Sequence, residues 1–182
     1  QIKENQEEEA VAAEELELGK KFNVLLRNFV REVAAPLLGV GADEVAYQRV
    51  PTLRVCPPGD LPMGRPHIDY DYHHQPGEVN FWIPLTRVFG TNTLRVESAP
   101  GLGDYAPVEL RWGEALRFWG NQVRHYCVPN QTGRTRVSLD LRVIPLKHFN
   151  EDFVDKRGRT SCSFRIGEYY TLSKLDADDT DQ

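Results

Sequence analysis

The chain has 182 residues, 22 Lys and Arg against 27 Asp and Glu, and a formal net charge of −5. One domain with peripheral extensions suits that length, and it is long enough to bury a real core. The acidity sits mostly at the ends, in Glu7-Glu8-Glu9 and between Asp176 and Asp181. The nearly balanced middle offers no basic groove for nucleic acid, and no apolar run has the length of a membrane span.

The cysteines, Cys56, Cys127 and Cys162, are odd in number and show no paired spacing. A disulfide framework and a structural zinc site are both disfavoured, and a reducing compartment such as the cytoplasm is expected. No signal peptide is visible at the start as given. The only methionine is Met63, so a missing or processed native start is expected.

Residues 1–14, rich in Glu and Ala, read as an acidic tail or a frayed helix. From Leu18 the apolar residues Phe22, Leu25, Leu26, Phe29, Val30 and Val33 follow in steps of three and four, which is helical. Pro36, Gly39 and Gly41 end that pattern, and the helix is expected to pack on the outside of a sheet.

Short strand-like runs then alternate with Pro and Gly. They cover Val45–Val50, Leu53–Val55, Pro66–Tyr72, Val79–Leu85, Thr93–Val96, Val108–Leu110, Ala115–Trp119, His125–Val128, Arg136–Ile144 and Ser163–Ile166. So many short strands predict a mainly β protein: a double-stranded β-helix, the cupin-like jelly roll, with a flanking N-terminal helix. The expected organisation is a single domain over 15–170 between the N-terminal segment and a polar tail at 171–182.

His67-Ile68-Asp69 is the chemically informative motif. On a strand, residues i and i+2 share a face, so His67 and Asp69 project together. His125 opens a later strand and supplies a third donor. Two imidazoles and one carboxylate can occupy one face of Fe(II) and leave the opposite face open. His73 and His74 stand nearby as rival ligands.

Arg136 and Ser138 lie on the polar side of the next strand, together with Asp140 and Arg142. That side is either a solvated charged face or the wall of a polar interior. A guanidinium fork with a nearby hydroxyl suits the far carboxylate of a dicarboxylate. Arg134 competes for that role, but it follows Gly133 at the entrance to the strand.

The chain resembles the phytanoyl-CoA dioxygenase superfamily of Fe(II)/2-oxoglutarate oxygenases, in its StrG-like branch, over about Tyr47 to Tyr170. The resemblance rests on Pro51-Thr52-Leu53-Arg54-Val55, His67-Ile68-Asp69, Asn80 to Thr86, Leu94 to Ser98, and Gly133 to Val143. It implies Fe(II) on His67, Asp69 and His125. It also implies 2-oxoglutarate held by Arg136, eleven residues after His125, with Ser138 beside it. O2 would be the second co-substrate, and succinate and CO2 the by-products.

Hydroxylation of a small organic substrate is the default outcome, since a carboxylate at Asp69 occupies the position that a halide would need. Resemblance and strand alternation together suggest Asn80 as a co-substrate contact. Trp82, on the same face, would be a wall. Tyr72 and His74, in the loop after the metal motif, are expected to border the substrate, and so is Arg95, unless it pairs inward with Glu97. The opposing expectation is a cupin-like metal-binding protein without oxygenase activity. A third is an interaction module built on the acidic N-terminal helix.

Overall fold

The computed structural model describes residues 2–62, 64–153 and 164–174, with side chains from residue 11 onward. Two compact units are present. One comprises the N-terminal segment through Val45 with Ser173 and Lys174, and the other runs from Ala46 to Leu172.

In the first unit, α1 (Ile2–Phe29) runs through the segment expected as an acidic tail or a frayed helix. It passes into a π-helical turn at Val30–Ala34 and ends in α2 (Ala35–Leu37). Pro36 explains the wide turn. It has no N–H to offer Glu32 four residues back, and its ring crowds that carbonyl, so the chain opens by one residue. The Ala35 N–H accordingly bonds the Val30 carbonyl. Arg31 ties this end together. It pairs with Asp43 and donates to the Ser173 carbonyl at 2.6 Å.

The second unit holds two antiparallel sheets. The strands are β1 (Val45–Gln48), β2 (Thr52–Cys56), β3 (Val79–Pro84), β4 (Leu94–Val96), β5 (Ala106–Pro107), β6 (Leu116–Phe118), β7 (His125–Cys127), β8 (Arg136–Pro145) and β9 (Tyr170–Leu172). The larger sheet runs β6-β3-β8-β1-β9, and the smaller runs β5-β4-β7. Both are open sheets, not a closed barrel. The fold is mainly β, as expected.

β8 is the longest strand and the axis of the large sheet. β3 pairs with it through Ile83↔Leu139, Phe81↔Leu141 and Val79↔Val143. β2 pairs with its first half through Cys56↔Arg136 and Arg54↔Ser138. A core of Trp82, Val88, Leu94 and Cys127 draws on β3 from one sheet and on β4 and β7 from the other, with Val96, Leu116 and Phe118 packed against it. The apolar stack from both sheets is what excludes water around the polar site.

Three expected strands differ from the structure. Pro66–Tyr72 is not a strand. His67 makes one bridge, to His125, and Asp69–Tyr72 is a 3-10 turn. His73 closes that turn with a left-handed φ of 75°. The strand expected at Val108–Leu110 lies earlier, at Ala106–Pro107, while Leu110 only bridges Val88. Of Ser163–Ile166, Ser163 lies outside the described residues and Ile166 makes an isolated bridge to Tyr170. The last strand, Tyr170–Leu172, starts at the final residue of the expected domain and runs into the segment expected as a tail. Cys162 and the acidic run at 176–181 also lie outside the described residues. Among the described residues, no helix is long and apolar enough to cross a membrane.

Candidate metal and co-substrate site

His67 and His125 are fixed to each other by backbone. The His67 N–H donates to the His125 carbonyl at 3.2 Å, and the reverse bond is 3.0 Å. Their rings lie 4.5 Å apart. His67 Nδ1 faces the Arg65 carbonyl at 2.6 Å, and His125 Nδ1 faces the Val123 carbonyl at 3.1 Å. A carbonyl only accepts, so each Nδ1 carries the proton and each Nε2 presents its lone pair.

Both lone pairs converge on Asp69. Its Oδ1 lies 3.8 Å from His67 Nε2 and 3.6 Å from His125 Nε2. The donor atoms of the three residues all lie within 4.8 Å of one another. Asp69 reaches this point because its N–H bonds the Gly120 carbonyl at 2.8 Å and starts the 3-10 turn. Convergence thus comes from a bridge and a turn, not from two residues on one strand.

The other carboxylate oxygen is occupied. Asp69 Oδ2 accepts from Asn80 Nδ2 at 2.7 Å and from Arg142 Nε at 2.9 Å. Only Oδ1 is left to face an ion. Burial pushes the Asp69 carboxyl up, but the charge and hydrogen bond of Arg142 outweigh it, helped by His125 and His74, and hold the group well below the usual carboxylate range. Burial pulls the His125 imidazole down, against the opposing pull of Asp69. An ionised carboxylate beside a neutral imidazole is the protonation state that metal ligation needs. Two nitrogen donors and one oxygen donor, each oriented by a backbone or side-chain partner, fit Fe(II).

Gly120 is part of this arrangement. A Cβ there would lie 2.6 Å from Asn80 Nδ2, so only glycine leaves room for the amide that holds Asp69.

A cavity of ≈ 60 Å³ opens beside the histidines, well above the ~10–15 Å³ that one water requires. His67, His125, Asn80, Trp82, Phe118 and Arg136 are among its lining residues. Arg136 is 1% exposed. Its Nη1 donates to the Asn92 carbonyl at 3.0 Å and to Cys127 Sγ at 3.3 Å. Its Cζ lies 5.6 Å from the centre of the Trp82 ring. Its Nε has no partner, and neither has the hydroxyl of Ser138, which is fully buried two residues on. A buried donor without a protein partner calls for an explanation, and a bound ligand is one.

The polar side of β8 is therefore interior, not a solvated charged face. Arg134 is exposed and absent from the cavity wall. Asp140, on that wall, is paired with Arg54, which limits its repulsion of an anion. Ser138 itself does not line the cavity.

The remaining expected residues fall in different places. Asn80 is on the wall, but its amide N–H is spent on Asp69 and its Oδ1 has no partner. Trp82 is both wall and core. Tyr72 is 56% exposed and sets its ring edge against His67 at 5.1 Å. Arg95 is half-buried on β4 and absent from the wall. Its expected partner, Glu97, instead accepts from the backbone N–H groups of Gly103 and Arg124.

His74 does not line the cavity. It is buried, with Nδ1 2.7 Å from Glu78 Oε2 and its ring against Phe164. Glu78 is fully buried and also accepts from the Tyr170 hydroxyl and the Gln75 N–H. Burial and the nearby Glu78 push the Tyr170 phenol up, so it keeps its proton and donates. This network sits where the tail strand joins the sheet.

No family model matches the chain. The streptomycin biosynthesis protein StrG of Streptomyces griseus is 38% identical over 141 residues, which cover 77% of this chain and 66% of that protein. The chain is a StrG homologue. That is the branch its HxD and Gly133–Val143 motifs resemble.

Solved structures share the fold. The non-haem monooxygenase ThoJ, in a nickel complex, matches with a TM-score of 0.52 at 20% identity, over 64% of this chain and 49% of that one. EvdO2 from Micromonospora carbonacea var. aurantiaca matches at 0.51 and 17%, over 63% and 58%. The non-haem, α-ketoglutarate-dependent epimerase SnoN from nogalamycin biosynthesis matches at 0.51 and 16%, over 78% and 68%. The chain thus carries the fold of the non-haem oxygenases and spans about half of the ThoJ chain.

Proposed function

We propose that the chain is an Fe(II)- and 2-oxoglutarate-dependent dioxygenase that hydroxylates a small organic molecule and releases succinate and CO2. One observation carries this reading. The two histidines of a two-histidine, one-carboxylate donor set line the same cavity as a buried arginine whose Nε has no partner. A simple metal-binding protein has no use for the second feature.

His67, Asp69 and His125 would hold the iron, with Asp69 kept to a single oxygen by Asn80 and Arg142. When bound, iron supplies the coupled oxidation of the keto acid and activation of O2. Arg136 would bind the distal carboxylate of 2-oxoglutarate through its free Nε, with the buried Ser138 behind it on the same face of β8. The Trp82 ring holds the guanidinium in place and keeps water from it, which strengthens the ion pair. Phe118 and Trp82 give the cavity apolar walls suited to a C–H substrate. The SnoN match fits use of the same co-substrate, and its epimerase activity leaves the oxidative outcome open to choice of substrate.

The test is succinate formation by the purified chain with Fe(II), 2-oxoglutarate and O2, alongside His67→Ala and His125→Ala. Iron-dependent succinate that both substitutions abolish is expected. Tight metal binding with no consumption of 2-oxoglutarate under any condition overturns the reading in favour of a cupin-like metal-binding protein.

A further inference from the structure

Tyr169 and Tyr170 are neighbours in sequence, and their hydroxyls serve different networks. The Tyr170 hydroxyl donates to Glu78. The Tyr169 hydroxyl accepts from Arg142 Nη1 at 3.5 Å. The same guanidinium holds Asp69 Oδ2 through its Nε at 2.9 Å. Arg142 therefore joins the residue just before β9 to the carboxylate of the metal site.

The chain fixes Tyr169 where it stands. Gly167, at φ 89°, makes a turn that most side chains would strain. Across it the Gly167 N–H reaches the Tyr170 carbonyl at 2.8 Å, and the Tyr170 N–H reaches the Arg165 carbonyl at 3.0 Å. The Tyr169 carbonyl accepts from the Arg49 N–H at 2.8 Å. Its ring lies 4.6 Å from that of Phe164 and 5.7 Å from that of His74. Burial pushes the Tyr169 phenol up, against the pull of Arg142, so it keeps its proton. Its oxygen is thus a neutral acceptor, which orients the guanidinium without competing with Asp69 for its charge. The guanidinium is planar and rigid, so a bond that fixes Nη1 also fixes the direction of Nε.

We propose that Tyr169 is a positioning residue for the metal carboxylate: it sets the plane of the Arg142 guanidinium and so keeps Asp69 Oδ1 facing the histidines. The segment that leads into β9 then belongs to the metal site as well as to the fold. This role rests on the metal half of the proposed function and not on its co-substrate half.

Anaerobic titration of the full chain with Fe(II) alone, with Tm measured for each variant, tests it. Tyr169→Phe keeps the ring and its packing and removes only the hydroxyl. It is expected to weaken Fe(II) binding about three- to tenfold at a nearly unchanged Tm, less than loss of the arginine itself. R142Q/Y169F is expected to bind no more weakly than R142Q, because the hydroxyl acts through the arginine. Tyr170→Phe, which loses the bond to Glu78, should lower Tm and leave Fe(II) affinity unchanged. Wild-type affinity in Y169F overturns the proposal. So does a loss in R142Q/Y169F that equals the two single losses combined, or an equal loss of affinity in Y170F, which would trace the effect to the docking of β9. A wild-type chain that binds no Fe(II) overturns the metal reading itself, and this role with it.

Discussion

Arg142 grips Asp69 from across the sheet: Nε of the one lies 2.9 Å from Oδ2 of the other, and both side chains are buried. The bond does two things. It keeps Asp69 ionised at a depth where burial alone would protonate it, and it leaves only Oδ1 facing the histidines. Losing such an oriented partner typically costs about 10–100-fold in metal affinity. Arg142→Gln is therefore expected to weaken Fe(II) binding by that order. Anaerobic metal titration of the variant beside wild type measures it. Equal affinities would show that the arginine is only an internal ion pair.

Gly120→Ala is expected to act through Asn80. The new Cβ displaces the amide that donates to Asp69, so metal affinity falls while the sheets stay folded. Asn80→Ala removes the obstacle and the hydrogen bond at once. The pair should be strongly non-additive, with G120A/N80A no weaker than N80A alone. Metal affinities that simply add would place the effect of Gly120 elsewhere.

Arg136 and Arg134 are two residues apart and differ wholly in burial. Removing a buried charge partner of a carboxylate costs about 2–5 kcal/mol. Arg136→Ala should raise the 2-oxoglutarate requirement accordingly, and Arg134→Ala should leave it nearly unchanged. The absorption band of the iron–keto-acid complex reports both. Matching affinities in the two variants would remove Arg136 from the co-substrate site.

His74 and Tyr72 should separate cleanly. His74→Ala removes one of three hydrogen-bond partners of the buried Glu78, and losing a hydrogen bond to such a carboxyl costs about 1.5–3 kcal/mol. A fall in Tm is expected, with the proportion of turnover coupled to substrate unchanged. Tyr72→Ala removes an exposed ring against His67 and should lower coupling without lowering Tm. The opposite assignment of the two effects would restore His74 to the substrate wall.

The donor residues were readable because their chemistry is local. His67 and Asp69 lie two apart, and Arg136 and Ser138 share a face through simple alternation. Their environment was not readable. Alternation places Asp69 on a strand, but one hydrogen bond to Gly120, 51 residues away, turns the chain there instead. The partner of Asp69 is 73 residues away, on the polar face that alternation left open as either solvated or interior. His74 follows a metal motif and looks exposed in sequence. Only the fold brings Phe164 and Tyr169 over it. Strand content was legible from Pro and Gly spacing, while the bounds at Ala106–Pro107 and Tyr170–Leu172 depended on pairing partners far along the chain.

β8 carries Arg136 near its start and Arg142 six residues later. At ~3.3 Å per residue, one stiff strand sets a fixed interval of about 20 Å between the two guanidinium-bearing positions. The strand is in effect a ruler: it calibrates the reach from the buried Arg136 on the cavity wall to the group that steadies Asp69. The loops around the cavity can change in length without altering this interval. The segment of β8 between Arg136 and Arg142 cannot gain or lose one residue, because that would turn one of the two arginines out of the interior and disconnect the gauge.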